Sequence, residues 1–126
     1  MRSISARTSR RRSRTGLPVT ATGEDVVSAL PDGPREVACR TAQEALTNVL
    51  RHAGTPPTTV AATRDGPTVR LAVTNAAGSQ QATRAGTGRG LTGLARRAAA
   101  EGGRLTSGRT PDGGWSVVLE LPGAAR

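Results

Sequence analysis

The chain has 126 residues, of which 35% are hydrophobic, with no Phe, no Tyr and one Trp. That length suits one compact domain, and its core must be assembled from Ala, Val and Leu, so it buries little apolar area and is only marginally stable. The formal charge of +9 suggests nucleic acid until it is located: six of the eighteen Arg lie within residues 1–14, where there is no Asp or Glu, and the other twelve face nine acids, a balance of +3.

No aromatic residue is interleaved with the early arginines to stack on bases, so no specific nucleic-acid partner is expected. Cys39 is the only cysteine, which rules out an intrachain disulfide and makes the cytoplasm the default compartment. No apolar run reaches the length of a membrane span, and the Arg-rich start lacks the apolar segment of a secretory signal.

Along the chain, residues 1–16 (MRSISARTSRRRSRTG) offer almost nothing to bury and are expected to be a disordered tail, with the domain occupying 17–126. Val19 to Thr22 is a short β-like run, and Pro31 to Pro34 reads as a turn leading into a helix from about Pro34 to Ala53. On a helical wheel, Ala38, Ala42, Ala45, Leu46, Val49, Leu50 and Ala53 share one arc, while Arg40, Thr41, Glu44, Asn48, Arg51 and His52 form a polar ridge opposite. Gly54 and Pro56-Pro57 end that helix.

Two strands follow, Thr58 to Arg64 and Thr68 to Thr74, joined through Asp65-Gly66-Pro67. Asn75 to Gly90 has no period and reads as a mobile loop of a length that usually signals function. A second helix runs from Leu91 to Glu101 and stops at Gly102-Gly103. Arg104 to Leu121 is then two strands around Pro111-Asp112-Gly113-Gly114, with Val117, Leu119 and Leu121 on one face. Strands joined by short turns favour a mixed, mostly antiparallel sheet with both helices on one face, an α/β sandwich of two layers. Cys39 and Trp115 each fit a packed or half-buried position and need no special role.

Two segments carry a resemblance. QEALTNVLRHAG (Gln43 to Gly54) closely resembles the asparagine box of sensor histidine kinases that partner NarL-type response regulators. GRGLTGLARRAAAEGGRL (Gly88 to Leu105) resembles the glycine box with its following helix. Their order and separation match the family's, and with the strands the resemblance covers roughly Leu17 to Leu121. It implies the ATPase fold shared by gyrase, Hsp90, histidine kinases and MutL, with ATP and Mg2+ as ligands and phosphoryl transfer as the activity.

The resemblance assigns Asn48 to the magnesium ion and Glu44 to a general-base or orienting role. Arg51 would reach phosphate oxygens, and His52 matches the nucleotide-side histidine. The residue types suit those tasks. Magnesium keeps most of its waters and needs few protein oxygens. A carboxylate one turn away can accept from a metal-bound water or the nucleophile, and an Arg one turn further makes charge-assisted bonds. On the helix pattern alone a solvated polar face would serve equally well; the second motif shifts the balance. Gly86, Gly88, Gly90 and Gly93 would let backbone amides approach a triphosphate at a helix N-terminus, while Leu91 and Leu94 anchor that helix; a merely flexible loop is the plainer alternative.

Where the family has Asp-x-Gly-x-Gly, this chain has Asn75-Ala76-Ala77-Gly78-Ser79. Asn75 can still accept from an adenine amino group through its carboxamide oxygen. His52 is the only histidine, so the phosphoacceptor histidine is expected on a helical dimerisation domain that is missing here or acts in trans, with a response regulator as the indirect partner. Other readings are an anti-sigma-factor-type serine kinase of the same superfamily, a degenerate nucleotide-binding module, and a basic DNA-binding protein working through its tail. The ARRAAAEGG helix after the glycine box favours the histidine kinase.

Overall fold

The computed structural model describes residues 8–12, 18–53, 56–76 and 89–122, with backbone alone for 8–12, 52, 53 and 89. In chain order the elements are β1 (Thr8–Arg12), β2 (Pro18–Thr22), α1 (Glu24–Ser28), α2 (Asp32–Ala53), β3 (Thr58–Asp65), β4 (Thr68–Asn75), α3 (Arg89–Ala100), β5 (Arg104–Arg109) and β6 (Trp115–Pro122). The strands form one sheet in the order β1-β2-β3-β4-β6-β5, and only β2 and β3 run parallel. Parallel neighbours need a long crossover, which α1 and α2 provide.

Alternation decides which face of the sheet is covered. Ala62, Leu71, Leu119 and Leu105 form one row across β3, β4, β6 and β5, and they pack with Val37 and Ala38 of α2 and Ala98 of α3. The next row on the opposite face is Thr63, Arg70, Glu120 and Arg104, where Glu120 sits 3.9 Å from Arg70 and 3.7 Å from Arg104. Helices therefore lie on one side, and the two-layer, mostly antiparallel sandwich expected from the strand order is the observed one. Leu119 is fully buried at the centre of this aromatic-free core, where truncation to Ala costs about 2–5 kcal/mol. Among the described residues no helix is long and apolar enough to cross a membrane.

Several local expectations are corrected. Thr8–Arg12, placed in the disordered tail, forms strand β1, paired antiparallel with β2 from Thr8↔Thr22 to Arg12↔Pro18. Backbone pairing along an edge recruits it; no core side chain is needed for that, and Arg is well suited to an outermost strand. Residues 1–7 and 13–17 lie outside the described residues. Helix α2 begins at Asp32, before Pro34, because the N–H that proline lacks would be unpaired in a first turn anyway. Its first bond runs from Arg35 N–H to the Pro31 carbonyl at 2.9 Å. Helix α1, five residues long, is too short to show a period, yet Val26 and Val27 pack against the core.

The hairpin turn between β3 and β4 follows its sequence: Gly66 takes φ 61, open to glycine and costly for other residues, and Pro67 completes the two-residue loop. Helix α3 ends in a Schellman arrangement, with Gly103 N–H to Ala98 carbonyl at 2.8 Å, Gly102 N–H to Ala99 carbonyl at 2.9 Å, and Gly102 at φ 83.

The buried stripe of α2 is Val37, Ala38, Thr41, Ala45 and Val49, turned toward the polar ridge from the arc the wheel suggests; Ala42, Leu46 and Leu50 are only half-buried. The reason is α3, which covers the side of α2 that a helix on a bare sheet would leave open. Thr41, expected on the polar arc, is consequently fully buried, and Cys39, expected at a packed or half-buried position, is exposed. The Thr41 hydroxyl has no hydrogen-bond partner among the described residues. Thr41→Val, which keeps the shape and removes the hydroxyl, is expected to stabilise the fold by about 1 kcal/mol, measured as a raised urea midpoint; a lowered midpoint would show that the hydroxyl is satisfied in solution.

Candidate functional site

Helices α2 and α3 touch at two close approaches. Near one end, a Cβ added to Gly33 of α2 would collide with the Glu101 carboxylate that follows α3. Near the other, a Cβ added to Gly90 of α3 would collide with the Glu44 carboxylate of α2. Gly33 to Glu44 and Glu101 to Gly90 run in opposite senses over eleven positions, or about 16 Å of helix at about 1.5 Å per residue. The helices are antiparallel neighbours, and Arg97 to Glu36 at 3.6 Å ties them between these points. Glu44 is thereby held at the start of α3. The first turn of α3 has no acidic residue of its own, and the positive end of its dipole favours a carboxylate there.

The expected site residues fall as follows. Glu44 and Asn48 are half-buried along the edge of the buried stripe, one turn apart on α2, and Arg51 is exposed one turn further. His52 lies in the last turn of α2, with its side chain outside the described residues. Gly90 and Gly93 are exposed in α3; Gly90 is the glycine pressed by Glu44, whereas a Cβ on Gly93 would meet nothing within 4 Å. Leu91 is half-buried against the cluster of Ala45, Val73 and Val117. Gly86, Gly88 and most of the expected mobile loop, residues 77–88, lie outside the described residues.

Asn75 ends β4 and is buried, at 5% exposure. Its Nδ2 donates to the Ala76 carbonyl at 2.8 Å. An amide nitrogen is the end that a carbonyl demands, so the carboxamide oxygen is left as the acceptor end. One row at this end of the sheet runs Thr58, Asn75, Trp115, Arg109 across β3, β4, β6 and β5. Because β5 returns antiparallel to α3, the row lies at the α3 N-terminal end, where Glu44 and Gly90 meet. Among the described residues no cluster of three or more His, Cys, Asp or Glu could hold a metal ion.

Trp115 was not singled out from the sequence as part of this end of the molecule. The signal that could have found it was the strand register, since the turn Pro111 to Gly114 pairs Arg109 with Trp115. In that turn the Thr110 hydroxyl, followed by the Gly114 N–H, holds the Asp112 carboxyl below its ordinary value.

No family model matches the sequence, and no curated protein matches it significantly. Solved structures do match. The Acinetobacter baumannii histidine kinase AdeS superposes with TM-score 0.56 at 11% identity, over 87% of this chain and 51% of that one. The histidine kinase domain of the Erythrobacter litoralis EL346 blue-light activated histidine kinase gives 0.60 at 18%, over 74% and 49%. The ATP-binding domain of PrrB from Mycobacterium tuberculosis gives 0.54 at 25%, over 86% and 75%. The chain spans about half the length of the first two structures. It is thus similar in structure to histidine kinase and ATP-binding domains, and its fold is theirs.

Proposed function

We propose that the chain binds Mg-ATP where the C-terminal half of α2 meets the start of α3, and that it is the ATP-binding catalytic part of a cytoplasmic sensor histidine kinase of the class that partners NarL-type response regulators. The observation that carries the reading is the close approach of Glu44 to Gly90, which brings the asparagine-box-like and glycine-box-like segments to one place on a histidine kinase fold.

Asn48 would offer its carboxamide oxygen to magnesium, and Arg51, exposed on the same side of α2, would reach phosphate oxygens. The first turn of α3, which has no acidic residue, offers backbone N–H groups and the positive end of the helix dipole to an anion. Bound there, Mg-ATP supplies the phosphoryl group and the cation that offsets its charge. Glu44 accepts a hydrogen bond from the N–H of an incoming histidine, which orients the opposite ring nitrogen and gives the proton a destination. Asn75 presents its acceptor end to a purine amino group. The acceptor histidine belongs to a helical dimerisation domain outside this chain, and the response regulator receives the phosphoryl group from that histidine. An anti-sigma-factor-type serine kinase would use a similar pocket; the helix that begins at Arg89 and carries Arg96 and Arg97 supports the histidine kinase.

Asn48→Ala is expected to abolish Mg-ATP binding in calorimetry with little change in thermal stability, because the residue is only half-buried; unchanged affinity would remove Asn48 from the metal. The two α3 glycines should separate. Gly90→Ala displaces the Glu44 carboxylate and should depress phosphoryl transfer, whereas Gly93→Ala has open space and should stabilise the helix by about 1 kcal/mol. Equal effects at both positions would show that the Glu44 contact does not matter. With labelled ATP the chain alone should remain unlabelled, and a dimerising helix pair carrying its own acceptor histidine should become labelled in trans. Self-labelling that survives His52→Ala would defeat the account.

A further inference from the structure

Trp115 is the only aromatic side chain in a protein without Phe or Tyr. It opens β6 directly opposite Asn75, and directly opposed residues of an antiparallel pair share a face. That face is the helix-covered one, because Val73 and Val117, two residues along their strands, are buried on it. Trp115 itself is only half-buried. It packs against the cluster of Ala45, Val73 and Val117, which also takes in Leu46 of α2 and Leu91 of α3. The indole thus packs on the same cluster as residues of both motif-bearing helices while part of it remains open.

A glycine makes this placement possible. A Cβ on Gly114 would collide with the Asn75 backbone carbonyl, so Gly114 is what lets the start of β6 come flush against the end of β4. The turn before it is held by the Thr110 hydroxyl, which accepts from Gly114 N–H at 2.9 Å.

We propose that Trp115 is the surface on which the purine ring of the nucleotide lies, with the Asn75 carboxamide oxygen taking the ring's amino edge; this rests on the ATP-binding reading above. The two residues divide the recognition. A carboxamide accepts at the edge of a base, whereas an indole offers a flat polarisable face that gains from stacking on any purine. In a core built from Ala, Val and Leu, no other side chain can present such a face.

A lone tryptophan makes the test direct, since emission from the intact chain reports one residue. Mg-ATP and adenosine should both change Trp115 emission, and inorganic tripolyphosphate, which lacks a base, should leave it unchanged. Calorimetry should show Trp115→Phe within a few-fold of the parent for ATP and Trp115→Leu weaker by about tenfold, with folding of each variant checked by circular dichroism. If Trp115→Leu does not fold, the parent's emission titrations and Trp115→Phe decide. ATP binding seen by calorimetry with unchanged emission and an unaffected Trp115→Leu would overturn the role of Trp115 and leave the ATP site standing. Tighter ATP binding by Trp115→Leu would overturn it as well, by showing that the indole obstructs the base. No heat and no emission change in the parent would overturn both this role and the ATP-binding reading.

Discussion

The Glu44 carboxylate occupies space that any side chain on Gly90 would need, so at this point α2 and α3 meet through a carboxylate and a bare glycine. A larger residue at position 90 would push the Glu44 carboxylate, the far end of a flexible side chain, off the start of α3. The same contact recurs at the far end, where Gly33 makes room for Glu101. Two glycine contacts and one ion pair lie along the seam between the helices, beside the apolar cluster in which Leu91 packs, and Glu44 and Asn48 stand at the edge of that seam.

The sheet supplies the other half of the candidate site. Its rows are set by pairing register, so Thr58, Asn75, Trp115 and Arg109 are brought level by backbone hydrogen bonds and not by affinity between their side chains. Gly114 permits the tightest of these approaches. A core without aromatic rings fills such a frame with small side chains, and Ala45, Ala62, Ala98 and the valines allow the helices to sit close to the strands. The price is an interior that tolerates little loss, with Leu119 and Leu121 among its largest fully buried side chains.

The sequence motifs and the fold support one another without being the same evidence. The resemblance of Gln43 to Gly54 and of Gly88 to Leu105 rests on residue identity, whereas the likeness to AdeS, to the EL346 kinase and to PrrB rests on backbone path at 11 to 25% identity. At Asn75, where the chain differs from the motif it otherwise resembles, donation from Nδ2 to the Ala76 carbonyl leaves the carboxamide oxygen as the acceptor end.

Periodicity and turn chemistry were enough to read α2 and α3, the hairpin through Gly66, the β5–β6 pair and the layered, mostly antiparallel architecture, because each is decided by residues near one another in the chain. The polar ridge holding Glu44, Asn48 and Arg51 was legible for the same reason. Strand β1 was not, since an edge strand made of Thr, Ser and Arg has no hydrophobic alternation to betray it and forms only because β2 has an edge to offer. Nor was helix α1, five residues long, or the burial of Thr41 on the side of α2 that α3 covers. The approach of Gly90 to Glu44 and the levelling of Trp115 with Asn75 join segments far apart in the chain. Only docking and strand register decide such contacts, and neither is written in the pattern of any single element.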